Sequence, residues 1–135
     1  MPTQRHQFIL GLVIKKMRGD GFTINMIDGK YAGLFGEPLP QPSTILRHRP
    51  DAIGINIDGR VGIGEAKTEG DISNSRTYDQ LYDFTSVELN AVKCEVYIGI
   101  PKSTEFDFKR KLTSLGLSII DNLHVLYVPD EIING

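Results

Sequence analysis

Arg49-Pro50-Asp51-Ala52-Ile53-Gly54-Ile55-Asn56-Ile57-Asp58-Gly59-Arg60-Val61-Gly62-Ile63-Gly64-Glu65-Ala66-Lys67 reads as two strands joined by a tight turn. Side chains alternate faces along a strand. The odd positions hold Asp51, Ile53, Ile55 and Ile57, then Val61, Ile63, Glu65 and Lys67; the even ones are mostly small. Opposed residues of an antiparallel pair share a face, so a one-residue slip exchanges the two sets. A two-residue turn at Asp58-Gly59 would mix them. A three-residue turn, Ile57-Asp58-Gly59, opposes Asn56 to Arg60 and Asp51 to Glu65, with Gly59 in the left-handed position that a type I turn plus bulge requires. The second register is predicted, because it gathers Ile53, Ile55, Val61 and Ile63 on one face. The small even face then lets a helix approach closely.

The same register sets the carboxylates of Asp51 and Glu65 side by side, with Lys67 two residues on. Two neighbouring carboxylates resist ionising together unless a cation compensates them. A hard divalent ion such as Mg²⁺, with Mn²⁺ as its substitute, takes oxygen ligands, keeps waters and binds substrate phosphates. A lysine beside it stabilises charge developing on a phosphate or helps to activate water. Glu-x-Lys alone is common at exposed strand ends; Pro-Asp before an apolar strand, a glycine turn, Glu-x-Lys at the far end and an amphipathic helix just after are jointly much rarer. The set points to metal-assisted phosphodiester hydrolysis. Arg47 and Arg49 flank His48 immediately before Pro50-Asp51, and guanidinium forks match phosphate oxygens. They are candidate contacts to a substrate backbone, against the plainer reading of a solvated loop.

Pro50-Asp51 with Glu65-Ala66-Lys67 resembles the PD-(D/E)xK superfamily, the restriction-endonuclease-like nucleases, and the hairpin is most similar to archaeal Holliday-junction resolvases and small restriction or repair nucleases. The resemblance implies Mg²⁺ held by Asp51, Glu65 and the backbone carbonyl of Ala66, with Lys67 as the catalytic lysine. Several branches carry a glutamine on the following helix that points at the site, which makes Gln80, and with it Arg76, further candidates. Related nucleases often place an acidic ligand on the first helix. Here its N-terminal half offers Gln4, His6 and Gln7 and no carboxylate, with Gln7 a weak candidate for that role. The expected substrate is DNA, with RNA open. A chain of this size offers little surface to grip a duplex, which suggests a homodimer. Two other readings stand beside the endonuclease: a non-catalytic nucleic-acid- or protein-binding module on the same fold, and a scaffold whose charged hairpin end is accidental.

The remaining chain fits one α/β domain over residues 1–135, restriction-endonuclease-like, with a mixed central sheet flanked by helices in the order αβββαβαβ. Residues 3–18 form the first helix, through Ile9, Leu12, Val13 and Met17 widened by Leu10 and Ile14, and Gly19-Asp20-Gly21 ends it. Residues 22–27 alternate as a strand, with Asp28-Gly29 as a turn. Residues 31–35 read as a short strand or loop, and 36–42 as a proline-bearing surface loop. Residues 68–74 are polar and expected to be mobile. A second helix is predicted from Ser75 to Leu89, burying Tyr78, Leu81, Tyr82, Thr85 and Leu89. Residues 92–101 fit a central strand. Thr104-Glu105-Phe106-Asp107 resembles a capping box opening a third helix to Leu115, with Phe108, Leu112 and Leu115 inward. Residues 117–120 and 124–128 supply the last strand or strands, around a turn at Asp121-Asn122.

Composition narrows the classes. A net charge of −2 is not that of a protein coating DNA by bulk electrostatics. The single cysteine, Cys94, excludes an intrachain disulfide and a cysteine-based zinc cluster. No apolar run is long enough to span a membrane and no signal-peptide pattern is seen, so the cytoplasm is the expected compartment.

Overall fold

The computed structural model describes residues 3–28 and 39–134. The reading of 31–35, the turn residue Gly29 and the start of the proline-bearing loop at 36–38 lie outside the described residues. The elements run α1 (Gln4–Gly19), β1 (Phe22–Ile27), β2 (Ala52–Asn56), β3 (Val61–Ala66), α2 (Glu69–Ile72), α3 (Ser75–Ser86), β4 (Glu88–Leu89), β5 (Val92–Lys93), β6 (Glu95–Pro101), a 3₁₀ turn (Lys102–Thr104), α4 (Glu105–Ser114), β7 (Leu123–Val128) and α5 (Asp130–Asn134). The main sheet has the order β1-β2-β3-β6-β7. The first three strands are antiparallel neighbours, while β3–β6 and β6–β7 are parallel. The protein is therefore α/β with a mixed five-stranded sheet flanked by helices, and the added short elements are the main departure from the predicted order.

The hairpin takes the register that parity favours. Ala52 opposes Gly64, Ile53 opposes Ile63 and Ile55 opposes Val61. Asn56 and Arg60 close the turn, where the Asn56 N–H donates to the Arg60 carbonyl at 3.0 Å and Gly59 has φ +86°. Ile53, Val61 and Ile63 enter one hydrophobic cluster with Leu81, Phe84, Val96, Ile98 and Phe108. Ile55 does not join them: it is 41% exposed, and Ile57 at the tip is fully exposed. The predicted apolar face is thus buried at Ile53, Val61 and Ile63 but not at Ile55 and Ile57 on the first strand near the turn.

The other face of the sheet belongs to α1. Thr3 caps this helix by accepting from the His6 N–H, and Ile9, Leu10, Val13, Ile14 and Met17 are buried along it. They meet Ala52, Ala66 and Tyr97 in a second cluster. The helix sits this close because β3 and β6 present glycines: a Cβ at Gly64 would lie 2.9 Å from Met17 Sδ, and one at Gly99 2.7 Å from both Ile9 Cγ2 and Val13 Cγ2. Overpacking of this kind costs about 1–3 kcal/mol. Gly99→Ala is accordingly expected to lower the urea midpoint by that amount of stability with an unchanged slope; an unaltered midpoint would show that α1 yields freely.

Several predicted boundaries move. Within residues 68–74, Glu69–Ile72 form α2, where Thr68 and Asp71 make a capping box and Ile72 is buried. Helix α3 stops at Ser86, because Val87 is extended and Asn90 and Ala91, both at positive φ, turn the chain into the β4–β5 hairpin. Leu89 and Val92 therefore belong to that hairpin. Helix α3 buries Thr77, Gln80, Asp83 and Phe84 beside Tyr78, Leu81 and Thr85, whereas Tyr82 is 59% exposed. The stripe is rotated because Gln80 and Asp83 find polar partners, which removes most of the cost of burying them. Helix α4 starts without the expected capping box: the Thr104 hydroxyl donates to the Pro101 carbonyl at 2.7 Å. Leu115 is 47% exposed, and Gly116 ends the helix at φ +73°. Residues 117–120 form no strand, leaving Leu123–Val128 as the last one. Among the described residues no helix is long and apolar enough to cross a membrane.

Candidate functional site

The site forms where β2 begins and β3 ends. One step beyond the Ala52–Gly64 pair, Asp51 faces Glu65 across the hairpin. The Asp51 carboxylate is fixed by the Ala66 backbone N–H, which donates to its Oδ2 at 2.9 Å. Glu65, 3% exposed, is an ionisable side chain in the sheet interior, and its Oε1 has no hydrogen-bond partner among the described residues. A buried carboxylate oxygen without a donor is costly, and native structures rarely keep one without a reason.

Lys67 closes the group. Its backbone N–H donates to the Gly99 carbonyl at 3.0 Å, so the residue continues the β3–β6 ladder. Its Nζ donates to Gln80 Oε1 at 2.7 Å and lies 3.8 Å from Glu65 Oε2. Gln80 is buried on α3, as a residue aimed from that helix into the site must be. Asp51, Glu65, Lys67 and Gln80 are thus brought together. Ala66 contributes its N–H to Asp51, while its methyl packs with the α1 cluster.

Burial dominates the electrostatics. Desolvation holds the Glu65 carboxyl well above the usual carboxylate range, and Asp51 beside it pushes the same way; Lys67 opposes both. Desolvation also raises Asp51, against the Ala66 hydrogen bond and Lys67. A partly compensated pair of carboxyl groups of this kind suits a cation, and the orphaned Glu65 Oε1 is the atom with an unused lone pair to give it. The donor set, two carboxylates, fits a hard divalent ion. As the side chains stand, no group of three His, Cys, Asp or Glu among the described residues is arranged around a common point.

The arginines are placed differently from one another. Arg47 Nε donates to Asp83 Oδ2 at 2.9 Å, and His48 Nε2 lies 2.9 Å from the same oxygen. His48 is buried and packs edge-to-face with Phe84, at a centroid separation of 5.7 Å. Asp83 stays below the usual carboxylate range, first through its hydrogen bond from Arg47. These contacts pin the segment preceding Asp51 to α3, one helical turn from Gln80. The Arg47 side chain remains 69% exposed. Arg49 and Arg76 are exposed, with no ion pair among the described residues.

Helix α1 has no acidic residue in its first turn. There His6 Nε2 lies 3.4 Å from Asp71 Oδ2, and Arg5 forms a bidentate pair with Glu69. The start of α1 is thereby fastened to α2. Asp71 is held down at about 2, chiefly by His6, with further help from the Thr68 N–H and Lys67. Gln7 is half-buried and makes no side-chain hydrogen bond among the described residues. Sequence reasoning missed the roles of Asp83 and Asp71. The polar-residue spacing Gln80–Asp83 on one helical face was the available signal for the first, and the Thr-x-x-Asp capping pattern at Thr68–Asp71 for the second.

The fold and site define an α/β domain with an acidic pair, Glu65 buried and Asp51 half-buried, beside a lysine. Comparison of the chain with protein-family models, with curated proteins and with solved structures gives no significant match.

Proposed function

We propose that the protein is a divalent-ion-dependent endonuclease of restriction-endonuclease-like type, hydrolysing phosphodiester bonds in DNA. One observation carries the reading: Glu65 buries a carboxylate whose Oε1 lacks a partner, next to Asp51 and beneath Lys67. The hairpin register and the strand–helix–strand order after it support the same fold type. Asp51 and Glu65, with the Ala66 carbonyl, would hold Mg²⁺ or Mn²⁺. Such an ion neutralises the acidic pair and supplies Lewis-acid activation of phosphate and water. Gln80 accepts from the Lys67 ammonium and holds it beside Glu65, so that Lys67 can stabilise negative charge on a phosphate oxygen. Arg47 is steadied through Nε and keeps its exposed end for a phosphate of the backbone; Arg49 and Arg76 offer further guanidiniums. The reading includes action as a homodimer and a cytoplasmic setting.

The absence of an acid from the first turn of α1 favours a second reading, a non-catalytic binding module on the same architecture. Incubation of the purified protein with labelled duplex, flap, four-way junction and single-stranded DNA, and with RNA, separates the two. Cleavage with Mg²⁺ or Mn²⁺ that stops with a chelator is expected. Retention of every substrate intact, with gel-shift binding preserved, would leave the binding module in its place.

A further inference from the structure

The turn that precedes Asp51 carries a leucine for which the fold gives no reason. Ile45 and His48 form an isolated antiparallel bridge: the Ile45 N–H donates to the His48 carbonyl at 2.8 Å, and the His48 N–H to the Ile45 carbonyl at 3.1 Å. Leu46 and Arg47 make the tight loop between them, and of the two only Leu46 has a positive φ, +57°. Glycine normally stands at such a position, because any side chain there brings its Cβ against the following carbonyl oxygen. A leucine can offset that strain by packing, but Leu46 is 61% exposed and joins neither core cluster. Asparagine would suit the same turn at less cost, both to the backbone and to the surface. A strained and exposed bulky residue persists only where its surroundings fix it, and such residues gather at binding sites. The base of this turn is fixed. Ile45 and His48 are buried on either side of it, and Asp83 ties down Arg47 Nε and His48 Nε2 together. The loop thus offers an apolar tip between two exposed guanidiniums, those of Arg47 and Arg49. Asp51 follows five residues after Leu46. Chain of that length spans at most ~18 Å, which is about five base steps at 3.4 Å each.

We infer that Leu46 is a wedge: it enters the stack between neighbouring bases while Arg47 and Arg49 hold the adjoining phosphates. The inference rests on the nuclease reading of the site and adds the kind of DNA that the site takes. An apolar side chain that enters a stack unstacks the step and kinks the duplex, at a cost in free energy. That cost is smallest where pairing or stacking is already broken. A wedge within a few base steps of the acidic pair therefore selects DNA with an interrupted stack, such as a branch point or a flap, over continuous duplex.

Fluorescence titration of the full chain tests this, in a chelator so that no strand is cut. The probe is 2-aminopurine, which brightens when unstacked, placed at the centre of a four-way junction, at the base of a flap and in the middle of a duplex. The wild type is expected to brighten the junction and flap probes and to bind those DNAs about tenfold or more tightly than the duplex, the saving at a step already open. Leu46→Asn and Leu46→Gly both suit a positive φ and are expected to melt close to the wild type. Both should lose the brightening and the preference, whereas Leu46→Met should keep them. Unchanged brightening and preference in the folded Asn and Gly variants overturns the wedge and leaves the nuclease reading standing. A wild type that binds duplex as tightly as junction and flap does the same. No binding to any of these DNAs, in chelator or with Ca²⁺, overturns the wedge and the nucleic-acid reading together.

Discussion

Replacing Lys67 by alanine is expected to lower metal-dependent cleavage by about 10²–10³-fold, the usual cost of removing one preorganised charge stabiliser. The side chain is mostly enclosed, donates to Gln80 and lies near Glu65, so its ammonium is held in place before any substrate arrives. The loss should fall on the rate at saturating substrate more than on duplex affinity, because Arg47, Arg49 and Arg76 remain for the phosphate backbone. Single-turnover cleavage and gel-shift titration of the same variant separate the two. A variant that cuts at the wild-type rate while folded would remove Lys67 from the chemistry.

The second large effect concerns stability and has the opposite sign. Glu65→Gln is expected to make the protein more stable near neutral pH, by about 1–3 kcal/mol, since it replaces a buried and incompletely paired carboxylate with a neutral amide. The sign follows from linkage. The Glu65 carboxyl is raised well above its ordinary value of 4.5 in the folded chain. The folded state therefore binds that proton more tightly than the unfolded one. Its contribution is fully present below pH about 4.5 and is lost as pH rises through the folded-state value. Thermal melts in a chelator should show the variant above the wild type near pH 7.5 and level with it near pH 4. Adding Mn²⁺ should then raise the wild-type midpoint, because a ligand of the native state stabilises it, and leave the variant's in place. A glutamine variant that melts lower at neutral pH would mean that Glu65 contributes more through Lys67 than burial costs it.

These expectations rest on a part of the fold that parity alone could reveal. Two strands of alternating branched and small residues around Asp58-Gly59 admit few registers, and only one keeps the two sets apart, so the meeting of Asp51 and Glu65 was legible before any coordinates. The glycines of β3 were legible in the same way, as a surface for a helix, although not which one. What escaped was whatever depended on a partner distant in sequence. Nothing local distinguishes Asn25 as a bulge, because the extra residue is defined only against β2. The burial of His48 is set by Asp83 and Phe84 on α3, and α3 itself looked longer because Leu89 continues its apolar spacing. Tyr82 and Leu115 match a helical stripe on paper, but buried Gln80 and Asp83 turn α3, and Gly116 ends α4, so that both side chains reach solvent.

The bare tip of the β2–β3 hairpin offers an experimental handle. Ile57 is fully exposed, whereas the native thiol, Cys94, is buried and pushed up to about 11 by desolvation. A thiol that protonated and enclosed reacts slowly with alkylating dyes. Ile57→Cys therefore gives one addressable sulfur per chain, at the opposite end of the hairpin from the acidic pair. A spin label or fluorophore there can report the distance between two copies, or the arrival of a nucleic acid, without a second mutation to silence the background.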